Sequence, residues 1–453
     1  MSGPGIVFQP PTRARYRVIV FAVALAIIQY IDRVCISQAA PYISADLGLS
    51  AKQMGYVFSA FTLAYALFEI PTGWLGDQIG PRKVLVRVAS WWSFFTAATG
   101  WTWNFGSLVV ARFLFGAGEA GCFPNLTKAF SLWLPVGDRT RAQALMWMGA
   151  RWGGACAPLL VVAVMAFVSW RAAFFVFALL GVVWAVIFWR WFRDDPREHK
   201  GVNASELALL KANEQNVHSH ANVPWRRLAR RGTIWLLGAQ YFCLSYGWYF
   251  YVTWLPTYLK DARGMDIKTN PLMKWLADVL EAGLSPELTL KMLAAALAGI
   301  PLLFGGVGSF VAGILSTRLI VSTRRVTLVR RTFGFVGLTG AAVLLIVSFY
   351  LRDPLLAMLS MGLASFFNDT TLPGSWATCM DVGGKFAGTV SGSMNMLGNF
   401  GGMAGPIVVG YVLDWTNRDW QLAFAISAAI YFLGAICWLF IDPVTPLEKP
   451  ERA

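Results

Sequence analysis

Charge is scarce in this chain: Asp, Glu, Lys and Arg make up only 14% of its 453 residues, where soluble domains carry roughly 25%. With 57% hydrophobic residues as well, the protein cannot be wrapped in water on all sides. Histidine is rarer still, and His199, His218 and His220 all fall in one polar stretch. The six cysteines (Cys35, Cys122, Cys156, Cys243, Cys379, Cys437) lie singly in apolar segments, without metal-ligand or disulfide-framework spacing. They read as small core residues. No catalytic or metal-ligating cluster is visible, so neither an enzyme nor a metal or other cofactor is expected. A cleaved signal peptide is not expected either. Arg13, Arg15 and Arg17 precede an apolar stretch too long for one, which reads as a first membrane span.

What the chain has instead is length and apolar runs. A bilayer-crossing helix needs about 20 mostly apolar residues. Such segments centre on 18–41, 53–74, 84–103, 107–130, 142–168 and 171–192, then on 233–259, 292–316, 332–351, 354–378, 386–412 and 420–441. The expected fold is therefore an all-α membrane protein of twelve transmembrane helices in two pseudo-symmetric six-helix bundles. Residues 1–192 form the first bundle, 193–231 a cytoplasmic linker, and 232–453 the second bundle, with an extracytoplasmic insert near 261–291.

The formal charge of +14 does not imply a nucleic-acid partner, because the basic residues sit mainly in loops on one side. Arg82, Lys83 and Arg87, Arg139 and Arg141, nine between Arg190 and Arg231, and Arg318 through Arg331 share that side. Such an asymmetry marks the cytoplasmic face and meets anionic lipid. Both termini are expected to be cytoplasmic, the location the cell (inner) membrane, and the protein a monomer. In the insert, Leu272, Trp275, Leu276, Val279 and Leu280 recur at helical spacing. An amphipathic helix on the outer surface is expected there, with Ser285-Pro286 opening the eighth span.

An internal echo supports duplication: Gly73-Trp-Leu75-Gly-Asp77 with Arg82-Lys83 recurs as Gly313-Ile-Leu315-Ser-Thr317 with Arg324-Arg325. Repeated halves with a binding site at their interface are a common transporter design. Within GWLGDQIGPRK (Gly73–Lys83), Gly73 and Gly80 permit a tight turn, Asp77 can face a helix N-terminus, and Arg82-Lys83 can anchor at the surface.

This segment resembles the loop signature of the major facilitator superfamily, with Gln78 where members usually carry a basic residue. Further motifs resemble that superfamily's anion:cation symporter family, which includes bacterial sugar-acid and hexuronate permeases. They are YIDR (Tyr30–Arg33), RFLFGAGEAGCFP (Arg112–Pro124), the run from Trp189 to Glu206, WLPTYL (Trp254–Leu259) and NMLGNFGGMAGP (Asn395–Pro406). The resemblance covers nearly the whole chain except the 261–291 insert.

A charge at mid-membrane costs about 2.5–3.5 kcal/mol on insertion scales, so each needs a reason. Asp32 and Arg33, adjacent on a helix, point about 100° apart and do not simply neutralise each other. A guanidinium matches a carboxylate in bidentate geometry. The resemblance implies that Arg33 binds the anion, that Asp32 and Glu119 bind protons, and that Arg112 answers their protonation. Tyr65, Trp376, Asn395 and Asn399 match family positions that meet substrate, with ordinary helix packing as the alternative. Glu69, where the family more often has glutamine, reads as structural or gating, together with Gly73, Asp77, Arg82 and Lys83. Arg151 and Asp369 are less typical of the family: they either form an ion pair between the halves or contact substrate separately.

Four acids against three arginines leave the ionised set negative, and protonating two acids makes it attract an anion. Proton-coupled symport of an organic anion, a sugar acid such as a hexuronate or aldonate, is the expected function. A proton-independent organic or phosphate anion exchanger or exporter is the alternative, and a membrane sensor that has lost transport a more remote one.

Overall fold

The computed structural model describes residues 10–210, 223–253, 258, 286–417 and 419–448. All regular structure among them is helical. The first half contains α1 (Ala14–Leu47), α2 (Ala51–Ile79), α3 (Pro81–Gly100), α4 (Phe105–Glu119), α5 (Cys122–Trp133), α6 (Val136–Met165) and α7 (Trp170–Trp191). Short helices α8 (Ala204–Leu210) and α9 (Trp225–Arg230) lie in the linker. The second half contains α10 (Gly232–Thr253), α11 (Pro286–Thr323), α12 (Val326–Tyr350), α13 (Pro354–Thr370), α14 (Leu372–Gly383), α15 (Ala387–Trp415) and α16 (Trp420–Phe440). The insert proper, 261–285, and its expected amphipathic helix lie outside the described residues.

Local chemistry sets many boundaries. Ser50 and Gln53 form a reciprocal capping box at the start of α2, and Pro81 opens α3 at a position where no amide donor is needed. The corner between the second and third spans turns through a left-handed residue in both halves, Gly80 at φ 87° and Arg324 at φ 55°. The start of α1 is capped from far away: Glu206 on α8 accepts from the backbone of Ala14 at 3.3 Å and Arg15 at 3.2 Å. Its carboxylate also takes the Arg15 guanidinium at 2.9 Å, fastening the linker to the chain's first described turn.

The fourth span of each half is broken. The expected single segment 107–130 is α4 followed by α5, interrupted at Ala120 and at Gly121, whose φ is +80°. Asn125 donates to the Gly121 carbonyl at 2.8 Å and to that of Thr72 at 3.1 Å, occupying carbonyls near the break. The expected 354–378 is α13 followed by α14, interrupted at Thr371 with Pro373 just inside α14. Glu119 is the last residue of α4, and Asp369 is one residue from the end of α13.

The halves meet mainly along two helix pairs, α2 with α15 and α6 with α11. At the first crossing the backbones nearly touch: a Cβ on Gly73 would stand 2.4 Å from the Gly388 carbonyl oxygen. Gly73 therefore serves helix–helix approach inside α2 and not the turn expected from its motif, which Gly80 makes.

Candidate functional site

Between the halves lies a central cavity of about 50 Å³. The first half contributes Tyr30, Arg33, Tyr65, Trp147 and Arg151, and the second contributes Tyr241, Trp248, Tyr249, Asn395 and Asn399. The walls are aromatic, and the two cations facing inward are both arginines.

Arg33 projects from α1 toward the cavity while Asp32 does not line it, as their angular separation on the helix requires. The Arg33 Nε donates to Glu119 Oε1, and the Gln29 amide donates to the same oxygen at 2.6 Å. The guanidinium carbon sits 4.3 Å from the centre of the Tyr65 ring, a cation–π contact that holds it in place. Its Nη2 is buried without a hydrogen-bond partner, as is the second oxygen of Glu119. The arginine is thus anchored through one edge, and a donor is left for something else.

Arg112 is not a cavity residue. It lies buried over the Phe115 ring at 4.1 Å and near Phe61 at 5.3 Å, with Nε and Nη1 unpartnered. Both carboxylate oxygens of Asp32 are likewise buried and unpartnered. Asp32, Arg112 and Glu119 lie within electrostatic reach of one another, in a buried charge cluster behind Arg33.

Arg151 and Asp369 do pair. Arg151 Nε reaches Asp369 Oδ2 at 2.5 Å and Nη2 reaches Oδ1 at 3.0 Å, the bidentate arrangement of guanidinium and carboxylate. The remaining Nη1 donates to the Tyr30 hydroxyl at 3.3 Å, and the guanidinium carbon lies 4.3 Å from the centre of the Trp248 ring. Asn368 supports Asp369 Oδ1 at 2.7 Å. Arg151 lines the cavity; Asp369 lies behind it, so any direct contact with substrate first requires the pair to part.

Trp376 also stands behind the wall. Its indole donates to the Tyr241 hydroxyl at 3.0 Å, and its ring packs against Trp147. Asn395 lines the cavity and donates to Glu69 at 2.6 Å, joining α15 to α2 across the halves. Asn399 donates to the Asn395 carbonyl within its own helix.

A layer of polar contacts joins the halves at the end of the molecule that carries the linker and both described chain ends. Asp77 accepts from the amides of Gly388 at 3.0 Å and Thr389 at 2.7 Å, at the N-terminus of α15. Lys128 approaches Asp77 at 3.4 Å and donates to the Lys385 carbonyl at 2.6 Å. Asp381 is shared by Arg139 of the first half at 2.7 Å and Arg330 of the second at 2.6 Å. Arg82 does not cross the interface: it donates to the Trp189 carbonyl at 2.5 Å, within the first half. Its amide donates to Asp194 at 2.9 Å, and burial pushes the Asp194 carboxyl up to about 6 against the pull of Arg82, Lys128 and Lys83. Lys83 is exposed.

Sequence reasoning missed most of the aromatic wall and the Lys128, Arg139, Arg330 and Asp381 layer. One signal was available for the wall: Tyr241, Ser245, Trp248 and Tyr249 recur at spacings of four, three and one, a single face of α10. None was available for the layer, whose members come from four helices.

Two helical bundles closing on a charged cavity, and joined by polar contacts at one end, are the architecture of a membrane transporter. Nine stretches among the described residues are long and apolar enough to cross a membrane, one of them (356–415) holding more than one crossing. The family model "Major Facilitator Superfamily" matches residues 22–406, and the chain belongs to that superfamily. It is 36% identical to a probable sulfoacetate transporter of Cupriavidus necator, over 97% of this chain and 96% of the relative. It is 30% identical to a probable galactarate/D-glucarate transporter of Escherichia coli, over 90% and 88%. With the hexuronate transporter of Bacillus subtilis it shares 27% over 96% of each. Among solved structures, the Escherichia coli fucose:proton symporter superposes with a TM-score of 0.68 at 14% identity, over 95% of this chain and all of that one. At that identity the likeness concerns fold alone.

Proposed function

We propose that the protein is a proton-coupled symporter of a small organic anion, of the sugar-acid or short sulfonate classes for which its relatives are named. The observation that carries this reading is the state of Arg33, a cavity arginine tied by one edge to a buried glutamate and left with a free donor. With Glu119 ionised, the arginine's charge is compensated internally and an incoming anion meets little net attraction. Protonating Glu119 releases that compensation, and the anion becomes the arginine's counter-charge. Proton and anion then bind with positive coupling, and linkage makes the effect reciprocal. Asp32, facing Arg112 in the cluster behind, is the second acid of this scheme.

The latch of Asp77, Lys128, Arg139 and Asp381 closes the end where Lys and Arg concentrate, which is the cytoplasmic end by the distribution of charge. In this reading α2 and α15 separate at Gly73 and Gly388 when the site opens to the cytoplasm of a cell whose inner membrane holds the protein as a monomer.

Proteoliposome uptake tests the coupling. An inward proton gradient is expected to drive accumulation of a bound acid above equilibrium, and Glu119→Gln is expected to abolish that accumulation while keeping counterflow exchange. Uptake by the unaltered protein that ignores the gradient makes it an exchanger instead.

A further inference from the structure

Arg151 differs from Arg33 in one respect that bears on substrate class. Arg33 keeps a donor free; all three nitrogens of Arg151 are engaged, two by Asp369 and one by Tyr30. The carboxylate that engages it comes from the opposite half. It also has a place made for it: a Cβ on Gly305 of α11 would stand 2.5 Å from Asp369 Oδ2. The two arginines face the same cavity and are close, since the Tyr30 ring centre lies 5.7 Å from the Arg33 guanidinium while its hydroxyl meets Arg151.

We infer that Arg151 is a second anion-binding residue, masked by Asp369 while the two halves are joined at this pair, and that the substrate is a diacid held by Arg33 at one end and Arg151 at the other. This rests on the organic-anion reading above and narrows it. A buried guanidinium stripped of its partner is an uncompensated charge. Separation of α6 from α13 as the halves rearrange therefore requires a replacement acid at Arg151. A monoacid satisfied at Arg33 has none to offer. The second acid group of a diacid takes the position of the Asp369 carboxylate, against the same fork of donors, while Asp369, drawn off with its own half, keeps the Asn368 amide at 2.7 Å and exchanges the guanidinium for water admitted as the halves part. The aromatic walls around the two arginines accommodate the carbons that join the two acid groups.

Matched acids test this on the purified full-length protein, by calorimetric binding or ligand-induced thermal shift. Sulfoacetate is compared with methanesulfonate and acetate, and glucarate with gluconate. The diacid of at least one set is expected to bind about tenfold or more tightly than its monoacids. The neutral double variant Arg151→Gln with Asp369→Asn, its folding checked without ligand, is expected to bring diacid affinity down to the monoacid level. The swapped pair Arg151→Asp with Asp369→Arg keeps an ion pair but moves the guanidinium, and it is expected to lose the same advantage. Monoacids that match their diacids in the unaltered protein overturn the inference and leave the anion reading standing. A diacid advantage that survives both double variants places the second acid elsewhere and also overturns it. Failure of every acid to bind overturns the organic-anion reading along with it.

Discussion

The fourth spans of the two halves invite comparison, because each breaks within two residues of a buried acid and each acid holds an arginine that faces the cavity. Glu119 ends α4 and holds Arg33 of α1, a helix of its own half. Asp369 stands near the end of α13 and holds Arg151 of α6, across the interface. In the proposed cycle a pair inside one packed half persists while the halves move, and its making and breaking is left to protonation or ligand. A pair between halves is also a mechanical link, and it reports the movement itself. One architecture thus supplies two chemically similar pairs with different sensitivities.

The comparison breaks most decisively at Arg151. Removing this one partner by Arg151→Ala leaves Asp369 buried without its guanidinium, expected to cost about 3–5 kcal/mol of stability, read as a fall in the unfolding temperature of detergent-solubilised protein. An unchanged unfolding temperature would mean the cross-half pair bears no load in this state. At the other pair, Arg33→Lys keeps the charge but loses the planar fork. A loss of about tenfold or more in substrate affinity is expected, with titration of bound acid as the measurement; near-normal affinity would reduce Arg33 to a source of field.

A smaller effect is expected at the latch. Asp381→Asn removes the shared counter-charge of Arg139 and Arg330, and should shift the balance between closed and open latch by about 1–2 kcal/mol. Faster alkylation of a cysteine placed at buried Ser393 would show it, and an unchanged rate would exempt Asp381 from closure. The smallest effect concerns Asp194, whose folded value of about 6 lies above the ordinary 3.8 because burial disfavours its charge. The folded state therefore binds the proton more tightly than the unfolded one, and this residue's contribution to stability falls as pH rises from about 4 to about 6. Asp194→Asn, which keeps an acceptor for the Arg82 amide, should narrow the stability difference between pH 5 and pH 7; an unaltered difference would assign it to other groups.

Legibility in the sequence was uneven for physical reasons. The segment 171–192 reads almost directly as α7, and 420–441 as α16, because hydropathy is a local property that the bilayer enforces residue by residue. The corner at Gly80-Pro81 was equally readable, since a left-handed glycine before a proline at a helix start is dictated by backbone sterics. The breaks after Glu119 and Thr370 were not, because the Gly, Pro and polar residues that mark them, Gly118 to Pro124 and Asn368 to Gly374, are also tolerated inside continuous transmembrane helices. The role of Gly73 was misjudged because the Gly388 carbonyl it meets is 315 positions away.

The amino-acid order alone determined that the chain spans a membrane in twelve crossings and that seven charges are placed where charge is costly. It also determined that Arg33 and Asp32 diverge, since helical periodicity assigns neighbours to different faces. Only the tertiary structure decided that Arg33 meets Glu119, that Arg151 meets Asp369, and that Arg112 and Trp376 stand behind the cavity wall. Partner choice between helices depends on how whole faces pack, and residues 86 and 218 positions apart carry no local signal of the neighbour each will find.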